Sequence, residues 1–370
     1  MQSDLSRVAE AIRTMEAGGI VVVTDDDDRE NEGDLIMAAV HATPEKVAFF
    51  IRHTSGILCT PVTPEEADRL RLDPMVSRND APLATAFTVS VDVKHNLTTG
   101  ISAEERTNTI RALANPNIGH EDFVRPGHIF PLVARDGGVL IRSGHTEAGV
   151  DLCRMAELAP VAVLAELVND DGTVKRGAEV TAFAQEHDLP VVSIAEMIAW
   201  RQRNERLVDR VDSFALTTPA GPAEAHVYQN PFDAMHHLAV VFGDIRDGRN
   251  VLVRLHRESV VRDMFSVTSP IDGMLDRLAA NDGGGVLIYL REGSVGVATD
   301  TSRPRDDLEA ATNEKHGSAE ERSESWREIG LGAQILKDLG VSSIRLISSR
   351  ERRYIGLDGF GIEIESTETG

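Results

Sequence analysis

Only two cysteines, Cys59 and Cys153, occur in 370 residues. Two thiols make neither a disulfide framework nor a thiolate metal cage, and such scarcity fits a reducing compartment. Basic residues are also under-represented, at 38 against 60 acidic ones, which leaves a formal charge of −22. Nucleic acid and anionic lipid both require a basic surface, so neither is expected as a partner. No apolar run reaches the roughly 18 residues of a membrane span. Met1–Arg7 is polar, with no signal-peptide core behind it. A cytoplasmic protein is expected. None of the five lysines follows a glycine, which excludes a Walker-type phosphate loop. Neither His-Glu-x-x-His nor Cys-x-x-Cys occurs, and Gly283-Gly284-Gly285 is no dinucleotide fingerprint.

What is present suffices for two globular cores. The chain is 41% apolar with 30 glycines, and at roughly 150 residues per domain its length predicts about two domains. Leu5, Val8, Ile12 and Met15 recur at helical spacing, Gly18-Gly19 ends that segment, and Ile20–Thr24 reads as a buried strand. Helices are predicted at Thr43–Ile51 and Ser102–Ala114, the second with Ser102 as cap and Glu105 three residues on. Phe87–Val93 and Val161–Leu167 read as strands, and Asn169–Gly172 as a turn. The charged stretch Trp200–Arg210 marks a boundary, giving domains over 1–203 and 211–370 joined by a linker at 204–210. Beyond it, strands are predicted at Phe214–Thr217, Leu238–Phe242, Val251–Leu255, Val286–Leu290 and Ile344–Ile347. A helix is predicted at Ser325–Leu339, and Asp300–Glu324 as a polar surface loop.

Asp25–Asp34 carries seven carboxylates and one arginine directly after the first buried strand. A charge run is usually a solvated surface, but loops at strand ends commonly build sites, and clustered carboxylates favour a hard cation such as Mg²⁺. An EF-hand fits poorly, because a loop starting at Asp28 puts Ala39 where the bidentate Glu belongs. Arg125-Pro126-Gly127-His128 and Arg142-Ser143-Gly144-His145 each set an arginine three residues before a histidine. Arginine suits phosphate, glycine permits close backbone approach, and imidazole binds metal or moves protons. Glu166, alone in the apolar run Val161–Leu167, is either the wet face of an edge strand or an acid–base group.

Taken in order, DDDDRENEGD at 25–34, RHTSGILC at 52–59, TTGISAEER at 98–106, RPGHIFPL at 125–132 and RSGHTEAGVD at 142–151 closely resemble 3,4-dihydroxy-2-butanone 4-phosphate synthase. The resemblance covers residues 4–203. It implies conversion of D-ribulose 5-phosphate to L-3,4-dihydroxy-2-butanone 4-phosphate and formate in riboflavin biosynthesis, with Mg²⁺ or Mn²⁺ and no organic cofactor. It further implies Glu30 and His145 as metal ligands, with Glu32 close by, and Arg29 and Asp34 as substrate contacts. The stretch Arg142, Ser143, Gly144, His145 and Thr146 would bind substrate, with Arg142 and Thr146 holding its phosphate. His128 and Glu166 match positions that the family needs for activity, Glu166 also touching substrate. The family works as a homodimer with sites near the interface, so at least a dimer is expected.

Residues 209–365 resemble GTP cyclohydrolase II, to which this synthase is fused in several bacteria. Val253–Glu258 fits its zinc segment and Gly332–Leu336 its late helix. The three zinc cysteines of that family fall here on Ser259, Pro270 and Asp272, and the arginine- and glycine-rich signature after Tyr289 is shortened to Tyr289–Gly296. Without thiolates no zinc is expected, and cyclohydrolase activity is expected to be lost. A chain that keeps both activities is the alternative, and a silent scaffold or nucleotide sensor a third. The expected fold is α+β: a mixed sheet with flanking helices, then a separate α/β unit.

Overall fold

The computed structural model describes residues 2–25, 29–230, 235–245, 247–265, 271–291, 330–348 and 361–369. Asp26–Asp28, Pro270, Glu292–Gly296, the tract Asp300–Glu324 and the first residues of the helix expected at Ser325–Leu339 lie outside these. The chain divides into two units, Met1–Arg201 and Gln202–Gly370.

Seven strands build the first unit: β1 (Val21–Thr24), β2 (Gly33–Ala38), β3 (Cys59–Val62), β4 (Val91–Val93), β5 (Phe123–Val133), β6 (Ala162–Glu166) and β7 (Val191–Ser193). Its helices are α1 (Gln2–Glu16), α2 (Pro44–His53), α3 (Pro64–Arg69), α4 (Ala103–Leu113), α5 (His145–Met155), α6 (Ala178–Glu186) and α7 (Ile194–Asn204). The strands lie in the order β4-β5-β3-β6-β2-β1-β7. β1 runs parallel to β7 and β3 to β5, while β2 is antiparallel to both β1 and β6. Successive side chains of a strand face opposite ways, and both faces here are apolar. Leu35 and Met37 join Phe50, Leu113 and Phe183 on the side of α2, α4 and α6. Ile36 and Ala38 join Val8, Met15, Leu152 and Met197 on the side of α1, α5 and α7. This double burial explains why β1, β2 and β6 read as continuous apolar runs.

One local expectation needs correction, and one strand was not anticipated. Phe87–Val93 is strand only at Val91–Val93, because the Val89 N–H turns away to the Asp73 carbonyl, leaving isolated bridges at Phe87 and Thr88. β5 is an 11-residue strand that proline and glycine in its middle, Pro126 and Gly127, concealed. Ser102 does cap α4 through a reciprocal box with Glu105.

In the second unit β8 (Asp209–Thr218), β9 (Gly221–Gln229), β10 (His236–Phe242), β11 (Val251–Arg257), β12 (Gly285–Leu290), β13 (Ser343–Ser348) and β14 (Glu363–Thr369) form another mixed sheet, ordered β14-β13-β11-β12-β10-β9-β8. α8 (Val260–Phe265) follows β11, α9 (Asp272–Ala279) precedes β12, and residues 330–338 are helical. Val253, Ile288 and Leu336 share one core, and Leu252, Leu287 and Leu278 the other. Both units are thus α+β with mixed sheets. Among the described residues no helix is long and apolar enough to cross a membrane.

Candidate active site

The site forms where β1 ends, β2 begins, β6 ends and α5 starts. β1 and β2 are paired up to Thr24 and Gly33, so the acidic segment is the loop that joins them. Asp25, 8% exposed, folds this loop back on itself. One of its oxygens accepts from Arg29 Nη1 and the Glu30 N–H, each at 2.9 Å, and the other from the Glu32 N–H at 2.9 Å. Asn31 takes a left-handed conformation at φ 54°, which asparagine tolerates better than most residues. The segment from Arg29 to Glu32 is therefore anchored on Asp25, and it turns Arg29, Glu30 and Glu32 into one cleft.

β2 and β6 set Asp34 directly opposite Glu166 in register. Glu166, half-buried, accepts from Ser55 Oγ at 2.7 Å. Asp34 is 2% exposed and its Oδ1 has no hydrogen-bond partner. Burial, then the charges of Glu166, Glu30, Glu32 and Asp25, push its carboxyl well above the usual range. The deeply buried carboxylate is thus Asp34, cross-strand from the Glu166 that the apolar run singled out.

His145 opens α5 behind the N-cap Gly144, which has no side chain to satisfy the first-turn N–H groups. Its Nδ1 lies 3.8 Å from Glu30 and 4.0 Å from Asp34. Burial pushes the imidazole pKa down and favours the neutral, ligating ring. Asp25, Glu30 and His145 each offer a ligand atom within 4.8 Å of the others, the one such trio among the described residues. Two carboxylates, an imidazole and the unpartnered Asp34 oxygen fit a hard divalent cation such as Mg²⁺ or Mn²⁺. Asp25 was not singled out as a ligand from sequence, since nothing there separates it from Asp26, Asp27 and Asp28.

Arg29, Glu30, Asp34, Arg142, His145, Thr146 and Glu166 all line this cleft, and Ser143 and Gly144 form the turn leading into it. Cys59, Thr85, Phe87, Leu132 and Leu164 complete the lining. Burial, then Glu166 and Asp34, push the Cys59 thiol up, so it stays protonated and packs as an apolar group. His128 is the exception and does not line the cleft. It is held on β5 by Asp92, whose oxygens face the His128 N–H at 2.9 Å and the ring Nδ1 at 2.7 Å. This pairing spans 36 residues and left no trace in the sequence.

In the second unit Ser259 follows β11 and Asp272 begins α9. The Ser259 N–H donates to Asp263 at 2.9 Å, Tyr289 Oη donates at 2.7 Å, and His256 Nε2 lies 3.0 Å away. His256 also stacks on Tyr289 at 5.3 Å. Burial works against the Asp263 charge, but these hydrogen bonds outweigh it and hold the carboxyl below its usual range.

The profile of 3,4-dihydroxy-2-butanone 4-phosphate synthase matches residues 9–200 and that of GTP cyclohydrolase II residues 209–369. The bifunctional riboflavin biosynthesis protein RIBA 1 of Arabidopsis thaliana is 44% identical over 374 residues, covering 97% of this chain and 68% of its own. The monofunctional RIBA 2 of the same plant is 45% identical over 362 residues, covering 96% and 75%. Among solved structures, RibBX, a two-domain 3,4-dihydroxy-2-butanone 4-phosphate synthase from A. baumannii, superposes with a TM-score of 0.80 at 37% identity, covering 98% of this chain and 99% of that one. A 3,4-dihydroxy-2-butanone 4-phosphate synthase in complex with two magnesium ions matches at TM-score 0.52 and 46% identity over 54% of this chain and 97% of that one. The chain belongs to the 3,4-dihydroxy-2-butanone 4-phosphate synthase family of enzymes and carries a second domain of the GTP cyclohydrolase II family.

Proposed function

We propose that the first domain converts D-ribulose 5-phosphate to L-3,4-dihydroxy-2-butanone 4-phosphate and formate for riboflavin biosynthesis. The observation that carries this reading is the convergence of the acidic loop, the Asp34–Glu166 pair and the α5 N-terminus on one cleft. Arg142, Thr146 and the unfilled N–H groups of α5 suit a phosphate, which binds well where a helix begins. Glu30 and His145, with Asp25 behind them, would hold Mg²⁺ or Mn²⁺. A bound divalent ion polarises a ketose carbonyl and makes the neighbouring C–H acidic. Asp34 and Glu166 then stand on adjacent strands as two carboxylates about one substrate, so that one accepts a proton while the other donates. Ser55 fixes the direction of Glu166.

A second copy of the chain completes this reading. His128 stands outside the cleft, its ring partly exposed, and Gly100 packs against it. The next residue, Ile101, is 53% exposed, and Ile57 is 50% exposed beside Gly56, whose carbonyl accepts from Arg106. Exposed branched apolar groups beside an activity-linked histidine suit a homodimer interface. Sedimentation at micromolar concentration should show a dimer, and a monomer with full activity would end this part of the reading.

For the second domain, we infer that cyclohydrolase activity is lost. Ser259 and Asp272 stand where the resemblance places thiolates, and Asp263 engages His256 and the Ser259 N–H of the same segment. The bifunctional relative keeps the alternative open. Formate release separates the two readings. The full chain with ribulose 5-phosphate and Mg²⁺ should release formate, lose it in EDTA, and lose it in Glu30→Ala. With GTP and zinc it should release none. Undiminished turnover of Glu30→Ala would overturn the metal assignment, and formate from GTP would restore the bifunctional reading.

A further inference from the structure

We propose that Glu147 is a positioning residue for the synthase reaction, setting the direction of the Arg142 guanidinium and through it the affinity for the substrate's phosphate. The inference rests on the reading of Arg142 as a phosphate contact.

Glu147 is 1% exposed and stands in the first turn of α5. Both of its oxygens are engaged. Oε1 accepts from the Arg135 N–H at 3.0 Å, and Oε2 accepts from Arg142 Nη1 at 2.7 Å. A carboxylate fixed at both ends cannot swing, so it holds Arg142 from a rigid anchor. On its other side the guanidinium donates through Nη2 to the Leu83 carbonyl at 3.1 Å and to Thr85 Oγ1 at 3.2 Å. A guanidinium has five N–H donors in one plane, so at least two remain for a ligand, in a plane that the protein has already chosen.

Gly144 shows that this arrangement is built into the turn. A Cβ there would collide with Arg142 Nη1 and lie 2.8 Å from Glu147 Oε2. The ion pair passes over the backbone through the space that a glycine leaves. An arginine on a long flexible stem binds phosphate more tightly when its orientation is set before the ligand arrives. A buried carboxylate beside a phosphate would otherwise repel it, and its full engagement by two donors offsets that repulsion.

The test uses the full chain as parent, Glu147→Gln, Glu147→Asp, Arg142→Ala and the double variant Arg142→Ala/Glu147→Gln. Formate release is followed against ribulose 5-phosphate at saturating Mg²⁺, with inorganic phosphate as competing inhibitor and thermal unfolding recorded for each. Glu147→Gln should raise KM and the phosphate inhibition constant about tenfold, with kcat within about threefold, as expected for a weakened charge-assisted hydrogen bond. Glu147→Asp, which keeps the charge on a shorter arm, should recover part of that loss. The double variant should bind phosphate no more weakly than Arg142→Ala alone. Glu147→Gln with a lower melting temperature but parental KM and inhibition constant would overturn the proposal in favour of a purely structural ion pair. Should the Gln variant fail to fold, Glu147→Asp carries the same comparison, and parental KM there would overturn it equally. An unchanged phosphate inhibition constant in Arg142→Ala would instead overturn the phosphate reading on which the proposal rests.

Discussion

Asp92→Asn tests whether His128 works through a single tautomer. Asp92 is 3% exposed, and its two oxygens face the His128 N–H at 2.9 Å and the ring Nδ1 at 2.7 Å. A carboxylate can only accept, so Nδ1 of the ring carries a proton, and in the neutral imidazole Nε2 is then the acceptor. Asparagine fills the same space and still accepts from the backbone N–H, but it turns an NH₂ group toward the ring. The ring proton must then move to Nε2, and an outward-facing acceptor becomes a donor. Losing the charge-assisted hydrogen bond costs about 1.5–3 kcal/mol, or roughly 10- to 150-fold in rate. The wrong tautomer costs up to about 10⁴-fold where the catalytic triad offers a precedent. On the proposed dimer, in which His128 serves activity from outside this chain's own cleft, kcat for formate release should fall by about 10² to 10⁴, while KM stays near the parent because Arg142 and the start of α5 are untouched. Gly100→Ala approaches the same pair sterically: its Cβ would collide with Asp92 Oδ2 and lie 2.6 Å from His128 Nδ1, at φ +85°. A kcat for Asp92→Asn within threefold of the parent, with its melting temperature unchanged, would refute the reasoning.

Other perturbations reach the rest of the molecule. Cys59 and Cys153 are 2% and 0% exposed, and burial pushes the Cys153 thiol up to about 12. At pH 8 only roughly one Cys153 thiol in 10⁴ is ionised, so Ellman's reagent should label neither cysteine until the chain unfolds, and rapid labelling of the native protein would contradict their placement. Gly127→Ala would set a Cβ on the Val91–Asp92 backbone, where no side chain can yield. It should cost about 3 kcal/mol, read as a lowered urea midpoint, and parental stability would argue against the β4–β5 pairing. Asp263→Ala leaves His256, Tyr289 and the Ser259 N–H without their acceptor, at about 3 kcal/mol in total. That loss should appear in thermal unfolding, whereas EDTA should leave the parent's second-domain transition unmoved. A transition that EDTA lowers would point to a structural metal there.

Much of the site was legible because its residues come in short contiguous motifs. Arg29, Glu30 and Asp34 lie within six residues, and Arg142 to Thr146 within five, so local spacing and resemblance exposed both. What escaped depends on register across the sheet. Asp92 reaches His128, and Asp34 meets Glu166, only through strand pairings that a linear reading cannot count. β5 was missed for a local reason, since Pro126 and Gly127 are poor strand formers and tertiary pairing overrides that preference. Glu147 was hidden by type: a glutamate in the first turn of a helix ordinarily faces solvent, and nothing nearby marks this one as buried.

The same element, a carboxylate beside a histidine, has opposite characters in the two domains. Around His145 it is left open. Asp34 Oδ1 is buried without a donor, and Nδ1 of the ring faces Glu30 and Asp34 across gaps of 3.8 and 4.0 Å, too long for hydrogen bonds. Buried acceptors grouped this way are costly unless a cation or substrate satisfies them, so the fold spends stability to keep them ready. Around His256 the account closes internally. Asp263 accepts from the Ser259 N–H, Tyr289 Oη and His256 Nε2, and it ties β11, α8 and β12 together, as a metal with ligands from the same segments could. Serine at 259 and aspartate at 272 stand where the resemblance places thiolates, and the hydrogen bonds around Asp263 link the same segment without one. The two carboxylates therefore differ in what surrounds them: Asp34 is buried with an oxygen that no donor meets, and Asp263 is met by three.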